Sequence, residues 1–195
     1  MKKLPGFTLI ELLIVIAIMA TLAVAILPQL NRYNQNQALQ IEALRLQTAL
    51  RAAQNNAGSG LKCNSGAKNT NWYLSFVSLS NNTYTLRATC ADNSMTTYVS
   101  YTIPPGVKLS TISAGGCSIP INGLASGFLA AISIMFNNIS ADVTFNVAYY
   151  SGCPSFTNAD KLVITLTQAD NAENLKKVVV KKGGSIYLSS DPNEQ

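Results

Sequence analysis

Met1-Lys2-Lys3-Leu4-Pro5-Gly6 runs into Phe7-Thr8-Leu9-Ile10-Glu11, and from Leu12 to Leu27 no further charge appears. A short basic leader thus ends in glycine and gives way to a long apolar run with one carboxylate near its start. At ~1.5 Å per residue the run 7–27 makes a helix of about 32 Å. That matches the hydrocarbon core of a bilayer, about 30 Å thick. Lys2 and Lys3 hold the leader on the cytoplasmic side under the positive-inside rule, which puts the remainder of the chain across the membrane. An ionised carboxylate at mid-bilayer costs roughly 2.5–3.5 kcal/mol on insertion scales. Glu11 therefore needs a partner and marks a function.

These residues resemble the leader of type IV prepilins and type II secretion pseudopilins, with glycine, phenylalanine and glutamate at that family's spacing. The resemblance implies that prepilin peptidase cuts between Gly6 and Phe7 and methylates the new Phe7 terminus. It also implies that Glu11, standing at the family's fifth mature position, pairs with the α-amino group of a neighbouring subunit and sets the axial step of a filament. Within a bundle of apolar helices such a pair is weakly screened. Pro28 lies where the family commonly carries an assembly-linked proline. Read from the residues alone, it is a breaker at the membrane exit. An ordinary secretory signal over residues 1–25 is the competing reading, since Ala23-Val24-Ala25 fits a small-x-small cleavage site. The length of the apolar run and the glutamate inside it argue against that.

Beyond Pro28 the pattern becomes amphipathic. Leu39, Ala43, Leu46, Leu50, Ala53 and Ala57 recur at steps of four and three, one apolar helix face that packs on the head. Gln40, Glu42, Arg45, Gln47 and Arg51 take the remaining surface. Asn55-Asn56-Ala57-Gly58-Ser59-Gly60 stops the helix. The expected organisation is a leader at 1–6, an N-terminal helix at 7–57 (7–27 transmembrane, 28–57 amphipathic) and a globular β-rich head at 58–195. Strands are expected at Trp72–Leu79, Thr83–Thr89, Thr97–Ile103, Ala131–Asn137, Asp142–Tyr150, Lys161–Thr167, Lys177–Val180 and Ser185–Leu188. Turn chemistry separates them at 80–82, 104–106, 115–116 and 183–184, the last marking a hairpin. The fold class is α+β: a long helix packed on a mainly antiparallel sheet or sandwich, the lollipop shape of pilins. Roughly 135 residues are enough for one self-supporting head.

Cys63, Cys90, Cys117 and Cys153 all fall in the head. An even count in an exported chain suggests two disulfides with three possible connectivities. Sequential pairing, Cys63–Cys90 and Cys117–Cys153, is the favoured one. Reduced buried thiols are the alternative. No Cys-x-x-Cys pair and no histidine occur, so no metal or other cofactor is expected. The Ser-His and Cys-His nucleophile arrangements need a histidine too, and the chain is not expected to be an enzyme. Lys176, Lys177, Lys181 and Lys182 crowd the C-terminal hairpin of a chain whose formal charge is +5. Such a patch can neutralise DNA phosphates, or simply guard a sheet edge.

Ala43–Ala57, Leu61-Lys62-Cys63 and Trp72-Tyr73, with the closing 162–167, 178–180 and 184–186 stretches, resemble GspH/FimT-type minor pseudopilins. Ser185 replaces that group's usual arginine, and Phe136-Asn137-Asn138-Ile139-Ser140 replaces its Phe-x-Pro-x-Gly turn. The resemblance implies a structural subunit of a type IV pilus or type II secretion pseudopilus. Its partners would be prepilin peptidase, other pilin subunits and an inner-membrane assembly platform. It would sit in the bacterial inner membrane as a single-pass protein, head outside the cytoplasm, before joining a periplasmic or extracellular filament. Alternatives are a tip-located minor pilin that binds DNA or surfaces and, more remotely, a Sec-exported or anchored domain.

Overall fold

The computed structural model describes residues 8–61, 63, 66, 69–76, 82–121, 131–137, 142–148, 156–189 and 191, with side chains at 25–28, 31, 69, 70, 131, 147 and 148 left undescribed. Among the described residues one helix, α1 (Leu9–Ser59), is followed by ten strands: β1 (Asn69–Phe76), β2 (Thr83–Cys90), β3 (Met95–Thr102), β4 (Val107–Ala114), β5 (Cys117–Pro120), β6 (Ala131–Asn137), β7 (Val143–Ala148), β8 (Lys161–Gln168), β9 (Leu175–Lys181) and β10 (Ile186–Ser189). The chain divides into two compact units, residues 1–37 and 38–195. The helical residues from Ala38 onward therefore belong with the head. The class is α+β, as expected.

The first unit is stem. Its helix starts on Thr8, whose side chain and backbone engage Glu11, and it runs without interruption through position 28. Pro28 thus does not end the element. Leu9 to Val24 expose apolar side chains on every side of the helix, among them Leu9, Ile10, Leu13, Ile16, Met19 and Leu22.

The second unit is built on the predicted stripe. Leu39, Ala43, Leu46, Leu50, Ala53 and Ala57 are all buried, joined by Ala49. The helix continues two residues past the expected end because Ala57 is still packed in the core. It stops where Gly60 takes a left-handed φ of 63°, the usual conformation after a last helical turn.

Two antiparallel five-stranded sheets cover this stripe, ordered β3-β2-β1-β6-β7 and β10-β9-β8-β4-β5. The chain alternates between them, so neither sheet forms from one continuous meander. β2 shows clean alternation, with Tyr84, Leu86, Ala88 and Cys90 turned inward. β8 is buried at seven consecutive positions from Leu162 to Gln168. Leu162, Ile164 and Leu166 join the main core, which also takes Ile112, Ile119, Val178 and Val180.

Eight strands match the predicted segments to within a few residues, although positions 77–79, 149 and 150 of those segments lie outside the described residues. β4 and β5 were not anticipated. β4 carries an irregularity between Leu109 and Thr111, and the extra residue breaks the apolar alternation that marks a strand. Gly115 and Gly116, expected as a break, form the tight turn joining β4 to β5, with φ of 59° and 80°. Positive φ at both positions suits a two-residue hairpin. The β9–β10 hairpin forms as predicted, closed by Lys181 N donating to Ser185 O at 2.9 Å.

A disulfide joins Cys63, just past the helix, to Cys90 at the end of β2. Cys117 is also disulfide-bonded, and Cys153 lies outside the described residues. Closing a loop with a sequence separation of 27 stabilises a fold by about 3–4 kcal/mol in the chain-entropy model. Replacing both Cys63 and Cys90 by serine is expected to lower stability by about that amount. Urea unfolding of the full chain with and without the double substitution measures it.

Candidate functional site

Three groups of residues carry the sequence-derived expectations: the stem terminus, the polar side chains of α1, and the lysines of the closing hairpin. Gly6 and Phe7 lie outside the described residues. Glu11 does not stand bare. Its Oε2 accepts from Thr8 N and from Thr8 Oγ1, both at 2.8 Å. Glu11 N in turn donates to Thr8 Oγ1 at 3.4 Å. This is a reciprocal capping box, in which a residue before the helix and one three places on satisfy each other's orphan donors. Its signal, threonine followed three residues later by glutamate, is present in Thr8-Leu9-Ile10-Glu11 and escaped the sequence reading. Among the described residues no helix is long and apolar enough to cross a membrane. Side chains are described without a gap from Leu9 to Val24, about 24 Å of helix, and the apolar run of the sequence extends past both ends.

The polar face of α1 is only partly a surface. Gln40, Arg45 and Arg51 are exposed, as expected. Glu42 is not: it is 1% exposed. The expectation that it lies on the surface is corrected by its partners, which the helix period alone does not reveal. Tyr84 Oη on β2 donates to Glu42 Oε1 at 2.9 Å. Arg45 Nη1 lies 3.5 Å from Glu42 Oε2 and donates to Thr102 O at 3.1 Å. The Arg45 guanidinium also sits over the Tyr101 ring, 5.1 Å from its centroid, and Tyr101 stacks on Tyr84 at 4.9 Å. Burial, and next the Glu42 carboxylate, push the Tyr84 phenol well above its ordinary value, so it remains a donor throughout the neutral range. On the opposite flank of α1, Gln47 Nε2 and Arg51 Nη2 each donate to Ile186 O at 3.2 Å, and Gln54 Nε2 donates to Gly184 O at 2.9 Å. The helix is thereby fastened by hydrogen bonds to an outer strand of each sheet.

The four lysines do not form one patch. Lys177 is buried, whereas Lys181 and Lys182 are exposed and Lys176 is half-buried. Adjacent strand residues point to opposite faces, so Lys176 and Lys177 diverge. Lys181 Nζ lies over the Tyr187 ring, 5.7 Å from its centroid. Lys177 is thus removed from any set of phosphate contacts. No group of His, Cys, Asp or Glu among the described residues is arranged to hold a metal ion.

Residues 1–27 match the family described as the Prokaryotic N-terminal methylation motif. No curated protein matches the chain. Two solved structures of the minor pseudopilin EpsH, from the type 2 secretion system of Vibrio cholerae, resemble it. One is 13% identical, covering 80% of this chain and 98% of its own, with a TM-score of 0.49. The other is 11% identical, covering 79% of this chain and 97% of its own, with a TM-score of 0.52. The second likeness establishes the architecture. The chain has a pseudopilin fold. The methylation motif at the start thus precedes a pseudopilin fold.

Tyr84→Phe is expected to leave Glu42 short of a donor and to cost about 1–3 kcal/mol of stability. Because the phenol's pKa is raised on folding, its contribution is complete below about pH 10, where a free tyrosine titrates, and is lost progressively above it. The gap in denaturation midpoint between Tyr84→Phe and the unaltered chain should therefore be constant from pH 6 to 9 and shrink at higher pH.

Proposed function

We propose that this chain is a prepilin-type structural subunit, a minor pseudopilin or pilin, matured at its amino terminus and assembled through its stem. The observation that carries this reading is the methylation motif over residues 1–27 on a chain whose remainder has a pseudopilin fold. In this reading prepilin peptidase removes residues 1–6, and Phe7 becomes the N-methylated terminus. The apolar segment 7–27 anchors the subunit in the inner membrane as a single span, with the head outside the cytoplasm. An assembly platform then lifts it into a filament.

The chemistry of the stem supports that sequence of events. A helix apolar on every side finds no stable place in water and requires lipid or other apolar helices around it. Within such surroundings Glu11 needs compensation. Thr8 supplies hydrogen bonds but no positive charge. The protonated terminus of a neighbouring subunit supplies the charge, and the pairing fixes the register of one stem against the next. Pro28 falls in the same segment and is assigned to assembly with it.

Intact-mass analysis and N-terminal sequencing of the protein from cells are expected to show a chain beginning at methylated Phe7. A terminus at Met1 or at Ile26 rejects the reading. Glu11→Val should insert into membranes as well as the unaltered chain and be depleted from sheared filaments by on the order of tenfold, the equivalent of about 1.4 kcal/mol. Equal incorporation removes the assigned role of Glu11.

A further inference from the structure

Arg87 is the sole charged side chain in the five strands of the first sheet. It lies on β2, between Tyr73 of β1 and Thr97 of β3, on the face opposite Leu86 and Ala88, which are turned into the core. Its Nε is shielded from solvent and has no hydrogen-bond partner among the described residues. Among the described residues Arg87 makes no ion pair, and no carboxylate occurs anywhere in the strands around it. A guanidinium that has lost part of its water without gaining an acceptor is a cost in the isolated chain.

The surroundings are those of a contact surface. Tyr73 Oη lies 3.2 Å from Met95 Sδ, Met95 is 62% exposed, and Met135 faces Tyr73 from β6. Arginine, tyrosine and methionine are the side chains most enriched where proteins meet. Threonine and serine take the neighbouring positions of this face on β2 and β3, at Thr85, Thr89, Thr97 and Ser100.

We propose that the outer face of the first sheet, centred on Arg87, docks a carboxylate-bearing segment of a different protein subunit. The planar guanidinium fork accepts a carboxylate through two parallel hydrogen bonds, which gives the shielded Nε its acceptor. The partner is a different and acidic protein because this chain is itself basic, with a formal charge of +5 that falls to 5 − 2 = +3 once Lys2 and Lys3 leave with the leader. Long-range attraction favours a partner of opposite sign and disfavours a second copy. Nucleic acid is a poor occupant, since one cation on a hydroxyl-rich face neutralises about one phosphate. The proposal deepens the filament-subunit reading and rests on it for the partner being another subunit.

The test places photoreactive p-benzoylphenylalanine at Thr97 in the full-length chain, in cells that produce the native assembly. The expected product is a cross-link to a different subunit, landing beside an Asp or Glu of that protein. Arg87→Gln should reduce it by on the order of tenfold while leaving the thermal midpoint unchanged, and Arg87→Glu should abolish it. Converting the captured Asp or Glu to Arg should restore the cross-link in the Arg87→Glu background. The proposal is overturned by any of five results: no cross-link, a cross-link to another copy of this chain or to nucleic acid, full yield in Arg87→Gln, a lowered midpoint in Arg87→Gln, or no rescue by the reciprocal change. The amino terminus of the same sample is sequenced in parallel. A methylated Phe7 with no cross-link rejects the docking face alone, and an unprocessed terminus rejects the filament reading.

Discussion

Everything in the head depends on one helix face being buried against two sheets at once. Ala43, Ala49, Ala53 and Ala57 keep that face narrow, and Leu39, Leu46 and Leu50 fill the space between the layers. Each buried leucine contributes roughly 1.5–3 kcal/mol relative to exposure. Neither sheet has a second helix among the described residues to cover it. Glu42 lies within this seam, which makes it the most demanding residue there. A buried carboxylate is tolerated only when its lone pairs are used, and Tyr84 and Arg45 use them. The bonds of Glu42 to Tyr84 on β2 and of Arg45 to Thr102 O on β3 tie this part of α1 to the first sheet alongside the leucines.

The helix was legible in the sequence because its apolar residues keep one period over five turns, a signal that survives substitution of any single position. Most strands were legible for the same reason with a different period. β4 was not, since the extra residue after Leu109 moves Ile112 and Ala114 out of phase with Val107 and Leu109. Glu42 was misplaced because local spacing carries no information about a tyrosine 42 residues away. Lys177 was misplaced by similar reasoning: charge suggests surface, yet β9 lies between two other strands of its sheet and buries much of what it carries.

At the other end of the chain the position is reversed. The motif of the stem was legible from three residues, as the match over residues 1–27 bears out, and the structure adds a local detail that changes how they are understood. Glu11 is already held by Thr8, so any group that recruits its carboxylate competes with two hydrogen bonds at 2.8 Å. The helix start and the charge of the stem are therefore one device. Removing Glu11 loosens the first turn as well as neutralising the segment.

The rims of the second sheet are closed to newcomers. β10 is four residues long, and side chains of α1 occupy the carbonyls of Ile186 and Gly184. β5 is equally short and ends in Pro120, which has no N–H to offer. An added strand finds only a short and partly occupied ladder at either side. Two heads that met at these rims would touch without merging their sheets, and each would stay free to part from its neighbour.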